Sequence, residues 1–319
     1  MSQSESYDNT HRAFLQALIA RPTLTFAEAQ PLLALIQTAH NPDRPVLGGD
    51  ITRADFDHYV HAINNAISSF DMEIRSTADQ SNRGEEVFAL VNTASDALTQ
   101  MATVHSADEI AFVKRVLDCM FETNNTRKRE VMAVPTFQAL KLSKGPDSDR
   151  RESGAATQQD TQTQNAGITI LQAEKVLRLL VSESWFELSD KGFYTLSPRA
   201  LMELRGWLID TYNDGDDDSE SDQGHPHEKI KVCMACREIV TQGQRCPDPT
   251  LRCPARLHSH CVGKMWRAQG GREICPTCKK EWKEPLPVGE KAAKRTRQSG
   301  SMGGRRSGVS GLDGADESD

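Results

Sequence analysis

The sequence predicts a mostly α chain with small β wings, arranged as two similar units followed by a metal-dependent module. Three observations predict it. Apolar residues recur at helical spacing over most of residues 8–212, and each half of that stretch ends in two short β-type runs. Seven of the eight cysteines fall between Cys233 and Cys278. Polar, apolar-poor sequence is concentrated at 141–167, 213–228 and 286–319.

In the first half, Phe14, Leu15, Leu18 and Ile19 mark a helix over His11–Ala20. Thr25 precedes a second, with Glu28 three positions on, the pattern in which two side chains satisfy each other's free backbone N–H groups. Asp50 or Thr52 starts a third, striped by Phe56, Tyr59, Ile63 and Ile67. Met72–Thr77 and Glu86–Asn92 then flank a polar turn containing Gly84. Three helices followed by a hairpin is the order of a winged-helix unit, expected over 8–103.

The order repeats over 104–212. Ser106 starts a helix striped by Ile110, Val113, Leu117 and Met120. A short strand or turn and a second helix follow over 131–142, then a third helix over 168–184. Trp185–Leu188 and Gly192–Leu196 flank Ser-Asp-Lys as a second hairpin, and Pro198 opens a closing helix. Residues 141–167 lack apolar periodicity and read as a disordered insertion. The 213–228 stretch reads as an acidic linker, 229–285 as the metal module and 286–319 as a disordered tail.

Composition narrows the class. The 319 residues are 37% hydrophobic and carry a net charge of −7, which argues against a protein that coats nucleic acid along its length. There is no apolar run of about 18 residues and so no expected membrane span. The N-terminus shows no basic stretch before an apolar core, so an intracellular, reducing location is expected. In that setting clustered cysteines point to metal rather than disulfides. Cys119, beside a helical apolar stripe, reads as a buried inert thiol.

The module runs Cys233-x2-Cys236, nine residues, Cys246, six residues, Cys253, four residues, His258-x2-Cys261, thirteen residues, Cys275-x2-Cys278. Eight soft ligands make two tetrahedral Zn(2+) sites with no open position, so the zinc is structural and no catalytic residue is expected. Of the neighbouring histidines, only His258 has the x2 spacing to Cys261; His260 does not, and His225 and His227 read as linker residues. Few large apolar side chains lie in 229–285, while a structural zinc can contribute roughly 10–16 kcal/mol. Metal is expected to decide whether the module folds.

This arrangement resembles the RING family. The resemblance implies interleaved ligation: Cys233, Cys236, His258 and Cys261 on one zinc, and Cys246, Cys253, Cys275 and Cys278 on the other. Here the histidine is the fifth ligand, whereas the usual RING has it fourth. The resemblance further implies docking of a ubiquitin-charged conjugating enzyme, at positions matched by Ala235, Trp266, Pro276 and Lys279. Ala235 is small where a branched apolar residue is common, which suggests weak or partner-dependent ligase activity. A PHD-type histone-tail reader shares the ligand order, but Glu273 stands where that family usually carries tryptophan. A non-catalytic scaffold is the other alternative.

Residues 85–121, the stretch from Trp185 to Leu204, and the zinc ligand segments together resemble the non-structural maintenance of chromosomes element 1 family, over about 8–285. That family is the RING-bearing subunit of the SMC complex of DNA repair. The resemblance implies a ubiquitin ligase subunit bound to a MAGE-like subunit and a kleisin, acting in repair and recombination in the nucleus. The third helix of the first unit carries Arg53 against Asp55 and Asp57, and that of the second has only Lys175 and Arg178. Winged helices that read DNA bring cations into the groove there, so protein partners are expected instead. Direct DNA contact is left to the basic 290–306 stretch, with six Lys or Arg, which could equally be a localisation element.

Overall fold

The computed structural model describes residues 7–81, 84–93, 105–145, 167–213 and 228–296. In the first unit, helix α1 (Asn9–Ile19) starts at Asp8, whose carboxylate accepts from the backbone N–H groups of Thr10 and His11. Strand β1 (Leu24–Thr25) leads into α2 (Phe26–His40), then α3 (Arg53–Ile67) follows. Thr25 with Glu28, and Thr52 with Asp55, close the reciprocal caps that start these helices. Phe14, Leu18, Leu33, Phe56 and Ile63 form the core between them. Strands β2 (Met72–Ala78) and β3 (Glu86–Asn92) pair antiparallel, and β1 joins the far edge of β3 with Leu24 opposite Phe88. The two-residue β1 is too short to show alternation in the sequence.

The second unit repeats the plan. Helix α4 (Ala107–Asp118) ends in a π-helical turn over Cys119–Thr123. Strand β4 (Val134–Pro135), α5 (Thr136–Lys141) and α6 (Ile170–Ser182) precede the hairpin β5 (Phe186–Leu188) and β6 (Phe193–Leu196), with sheet order β4-β6-β5. The expected closing helix is instead two, α7 (Pro198–Glu203) and α8 (Arg205–Asn213), divided at the fully buried Leu204. Gly206, a poor helix former, follows the break. Helix α7 lies against β2 and β3, where Met202 meets Ala89 and Val91, and so ties the two units together. Cys119 is buried, and desolvation and then the charge of Asp118 push its thiol up to about 11.

Most of 141–167 and 213–228 lies outside the described residues, as do His225 and His227. The ends of both stretches are pinned. Ile168 N–H donates to the Ser143 carbonyl at 2.9 Å. Asn213 exchanges two hydrogen bonds with the backbone of Ile230, at 2.8 and 2.9 Å. Thus Lys141 to Ser143 and Asn213 belong to the packed fold, not to the polar excursions.

The C-terminal module has a small sheet of β7 (Gly243–Arg245), β8 (Arg256–Leu257) and β9 (Leu286–Val288), ordered β8-β7-β9, and one helix, α9 (Val262–Ala268). Strand β9 corrects the expectation of disorder from residue 286. Val288 pairs with Gly243 and is buried, and a 3-10 helix continues over Glu290–Thr296 with Ala292 buried. Polar composition hid a strand that exists because β7 offers it an edge. Residues beyond 296 lie outside the described part.

The module is not a separate bead. Ile230, Val240, Leu257, Trp266, Trp282 and Val288 belong to the same apolar core as Phe112, Leu117, Leu177 and Tyr212 of the second unit. The few apolar residues of 229–285 are therefore supplemented by a neighbour, and burial adds to what metal supplies.

Candidate metal centre

Two zinc knuckles repeat one backbone design. Cys233 N–H donates to the Glu238 carbonyl at 2.8 Å, and Arg237 N–H to the Cys233 carbonyl at 2.9 Å. In the second, Cys275 N–H donates to the Lys280 carbonyl at 2.8 Å and Lys279 N–H to the Cys275 carbonyl at 3.1 Å. Arg237 and Lys279 each follow the second cysteine of a C-x2-C pair and are left-handed, with φ of 67° and 61°. The tight turn brings both sulfurs of each pair to one side.

Among the described residues, two groups of potential metal ligands form. Cys233, Cys236, His258 and Cys261 make one; Cys246, Cys253, Cys275 and Cys278 make the other. Within each group the donor atoms all lie within 4.8 Å of one another. The structure thus brings together all eight residues singled out from spacing, in the interleaved sets that the RING resemblance implied. His260 stays outside. Its ring stacks on that of His258, with centroids 5.0 Å apart and planes 9° apart.

The donor chemistry fits zinc. The His258 ring is held by Nε2, which donates to the Ile239 carbonyl at 3.0 Å. That fixes the proton on Nε2 and leaves the Nδ1 lone pair facing Cys236 Sγ at 3.2 Å and Cys261 Sγ at 3.9 Å. Without a cation, burial drives the Cys253 and Cys261 thiols up to about 11. A divalent ion would hold all of them as thiolates and release their protons. The two four-ligand sets are those of two structural zinc ions. When bound, zinc would fix the two knuckles to each other across the module; all four positions of each set are filled by protein.

The second unit grips this centre through Glu130, only 2% exposed. Its carboxylate accepts from Arg256 Nε at 2.6 Å and Lys231 Nζ at 2.9 Å, with Arg245 Nη1 at 3.4 Å. Burial works to raise Glu130, but the hydrogen bond and charge of Arg256, and then Lys231, hold it at about 2. Arg256 Nη1 also donates to the carbonyl of the ligand Cys253, at 2.8 Å.

The first unit reaches the same centre through its hairpin turn. Gln80 Nε2 donates to the Ile239 carbonyl at 2.8 Å, and Gln80 Oε1 accepts from the N–H groups of Thr241 at 3.0 Å and Gln242 at 2.9 Å. Beside it Gly84, at φ 80°, sits so close to His260 that an added Cβ would lie 2.5 Å from its ring. Spacing and periodicity carry no signal for Gln80 or Glu130; the polar turn with its glycine is the only hint for Gly84.

The candidate docking residues are dispersed in character. Ala235 and Lys279 are exposed and Pro276 is half-buried, with Lys279 Nζ donating to the Pro276 carbonyl at 2.7 Å. Trp266 is 9% exposed and packs edge-on against Trp282 at 5.7 Å. It serves the module's core and offers a partner little more than an edge.

Comparison with known proteins agrees with this architecture. A family model described as "Nse1 non-SMC component of SMC5-6 complex" matches residues 11–204, and a RING-like domain model matches 233–278. The non-structural maintenance of chromosomes element 1 homologs of Bos taurus and Homo sapiens are each 23% identical over 279 residues, 88% of this chain and 86% of theirs. The element 1 protein of Schizosaccharomyces pombe is 22% identical over 236 residues, 74% of this chain and 81% of its own. A chain of a solved "Nse1-Nse3-Nse4 complex" has the same fold, with a TM-score of 0.62 at 21% identity, covering 89% of this chain and 99% of the matched one. The family model spans well over half of the sequence, and with the RING-like module at its C-terminus the chain belongs to the Nse1 family of non-SMC subunits of the SMC5-6 complex.

Proposed function

We propose that this chain is a RING-type ubiquitin ligase subunit of its SMC complex. The observation that carries the reading is the pair of closed four-ligand sets, which makes the module a shaped platform with no reacting group of its own. Its work is then positioning. A conjugating enzyme carrying ubiquitin on a cysteine thioester docks on the face containing Ala235, Pro276, Lys279 and the exposed edge of Trp266. A substrate lysine amine attacks the thioester carbonyl, the isopeptide bond forms, and the enzyme's cysteine leaves as thiol.

The helical units serve as winged helices that bind protein. Arg53, the one cation early in α3, is held by Asp57 and Glu86 at 2.7 Å each and is not offered to phosphate. The solved relative is a complex of three named components, and by that likeness we assign this chain a MAGE-like partner and a kleisin partner. The nucleus, and DNA repair and recombination, are the setting that this assignment implies. Among the described residues no helix is long and apolar enough to cross a membrane.

The scaffold reading has one observation in its favour, the burial of Trp266. Discharge of ubiquitin from a charged conjugating enzyme, with and without the MAGE-like subunit, separates the two. Discharge stimulated by that subunit supports the ligase; none in either condition, with zinc loaded, leaves a scaffold.

A further inference from the structure

The charges shut between the second unit and the zinc module do not balance. Lys231, Arg245, Arg256 and Glu130 are all buried. Arg245 of β7 and Arg256 of β8 are partners in register, so two guanidinium groups share one face of the sheet, an unfavourable placement for like charges. The carboxylate that pairs with both, and with Lys231, is Glu130. Three buried cations meet one buried anion, which leaves two positive charges in excess. Asp248, which follows Cys246 in the chain, is taken by Lys280. A buried charge without a counter-charge is strongly destabilising, so the excess calls for a negative neighbour.

The four-cysteine ligand set is that neighbour. Arg245 immediately precedes the ligand Cys246, and a charge on Cys246 acts on it. Cys246 N–H donates to the Ala255 carbonyl at 3.2 Å, which seats the ligand beside β8. From β8, Arg256 Nη1 donates to the carbonyl of the ligand Cys253 at 2.8 Å. Lys231 lies on the other side, two residues before Cys233, so the two arginines are the cations that border the four-cysteine set. A divalent ion held by four thiolates carries two negative charges in all, which equals the buried excess.

Arg245 is the clearer of the two cases. Arg256 is fully used in hydrogen bonds to Glu130, Cys253 and Ala255. Arg245 Nη1 donates to the Arg127 carbonyl at 2.8 Å, but its Nη2, also buried, has no hydrogen-bond partner among the described residues. An arginine kept only for bonding would not leave half of its fork unused. We infer that Arg245 is the counter-charge of the four-cysteine zinc centre and holds its thiolates in the metal-binding form. The inference rests on the zinc assignment and is independent of the ligase reading.

The test loads the full chain with NMR-active cadmium in place of zinc and follows its loss to a chelator, since four-sulfur and three-sulfur sites give separate cadmium resonances. Arg245→Met is expected to weaken retention at the four-sulfur site by about 10–100-fold and to leave the three-sulfur site unchanged. Arg245→Lys keeps the charge and is expected to stay close to wild type. Glu130→Gln combined with Arg245→Met removes one charge of each sign and restores the excess of two, so it should recover most of the retention that Arg245→Met loses. An arginine acting only through packing or bonding would not be rescued by a second substitution in its own cluster. Wild-type retention in Arg245→Met, equal loss at both sites, or a double variant no better than the single one overturns the inference. A wild-type chain that takes up one cadmium or none overturns the zinc assignment, and the inference with it.

Discussion

Gln80 and His258 donate to one acceptor, the carbonyl oxygen of Ile239, at 2.8 and 3.0 Å. The first comes from the hairpin turn of the N-terminal unit and the second is a metal ligand. The bond from His258 Nε2 sets which ring nitrogen faces the cysteines, so a residue far from the module in sequence helps hold the carbonyl that orients a ligand. Gln80→Ala removes this bond and leaves the N–H groups of Thr241 and Gln242 without their acceptor. The expected cost is about 1–3 kcal/mol of stability, together with faster zinc loss to a chelator. Chelator kinetics unchanged from wild type would show that the hairpin contact is decorative.

Gly84 is the steric half of the same contact. Its φ of 80° is left-handed, and a Cβ there would meet the His260 ring. Gly84→Ala is expected to push the hairpin off the module, raising hydrogen exchange at Thr241 and Gln242. The double variant Gly84→Ala with His260→Ala removes the obstructing ring and should recover part of that protection. Equal exchange in both variants would assign the effect to backbone strain alone.

Glu130 holds three buried cations. Glu130→Gln keeps the shape and leaves Arg256 and Lys231 without a counter-charge, at an expected cost of about 3–5 kcal/mol. Urea unfolding followed by the fluorescence of the four tryptophans, Trp266 and Trp282 of the module among them, reads this. A change below about 1 kcal/mol would contradict the view that this carboxylate joins the second unit to the module.

Glu187 supplies a dependence on pH. Burial first, and then the charge of Asp79, raise its carboxyl to about 7 from an ordinary value of 4.5. The folded state therefore binds this proton more tightly than the unfolded chain does. The stability it contributes is complete below 4.5 and is lost as pH rises through 7. Glu187→Gln should match wild type at about pH 4.5 and exceed it by about 1–3 kcal/mol at pH 8. Parallel pH profiles would show that Glu187 is ionised without penalty.

The parts of the fold that are legible in the sequence are those with local causes. The caps at Thr25 and Thr52, the stripe of Phe56, Tyr59 and Ile63, and both hairpins follow from neighbours three, four or two residues away. The ligand set is legible for the same reason: C-x2-C pairs and the x2 spacing that favours His258 over His260 are short-range patterns. What cannot be read depends on distant partners. Strand β9 needs β7, and Glu130 needs Arg256, 126 residues on. The RING resemblance sets Trp266 on the docking face, and only the fold sets Trp282 against it.

Zinc counting by native mass spectrometry tests the central claim most directly. Two ions per chain are expected in the wild type and in His260→Ala, and fewer in His258→Ala. A single ion or none in the wild type, or loss on replacing His260 but not His258, would contradict the paired closed centres.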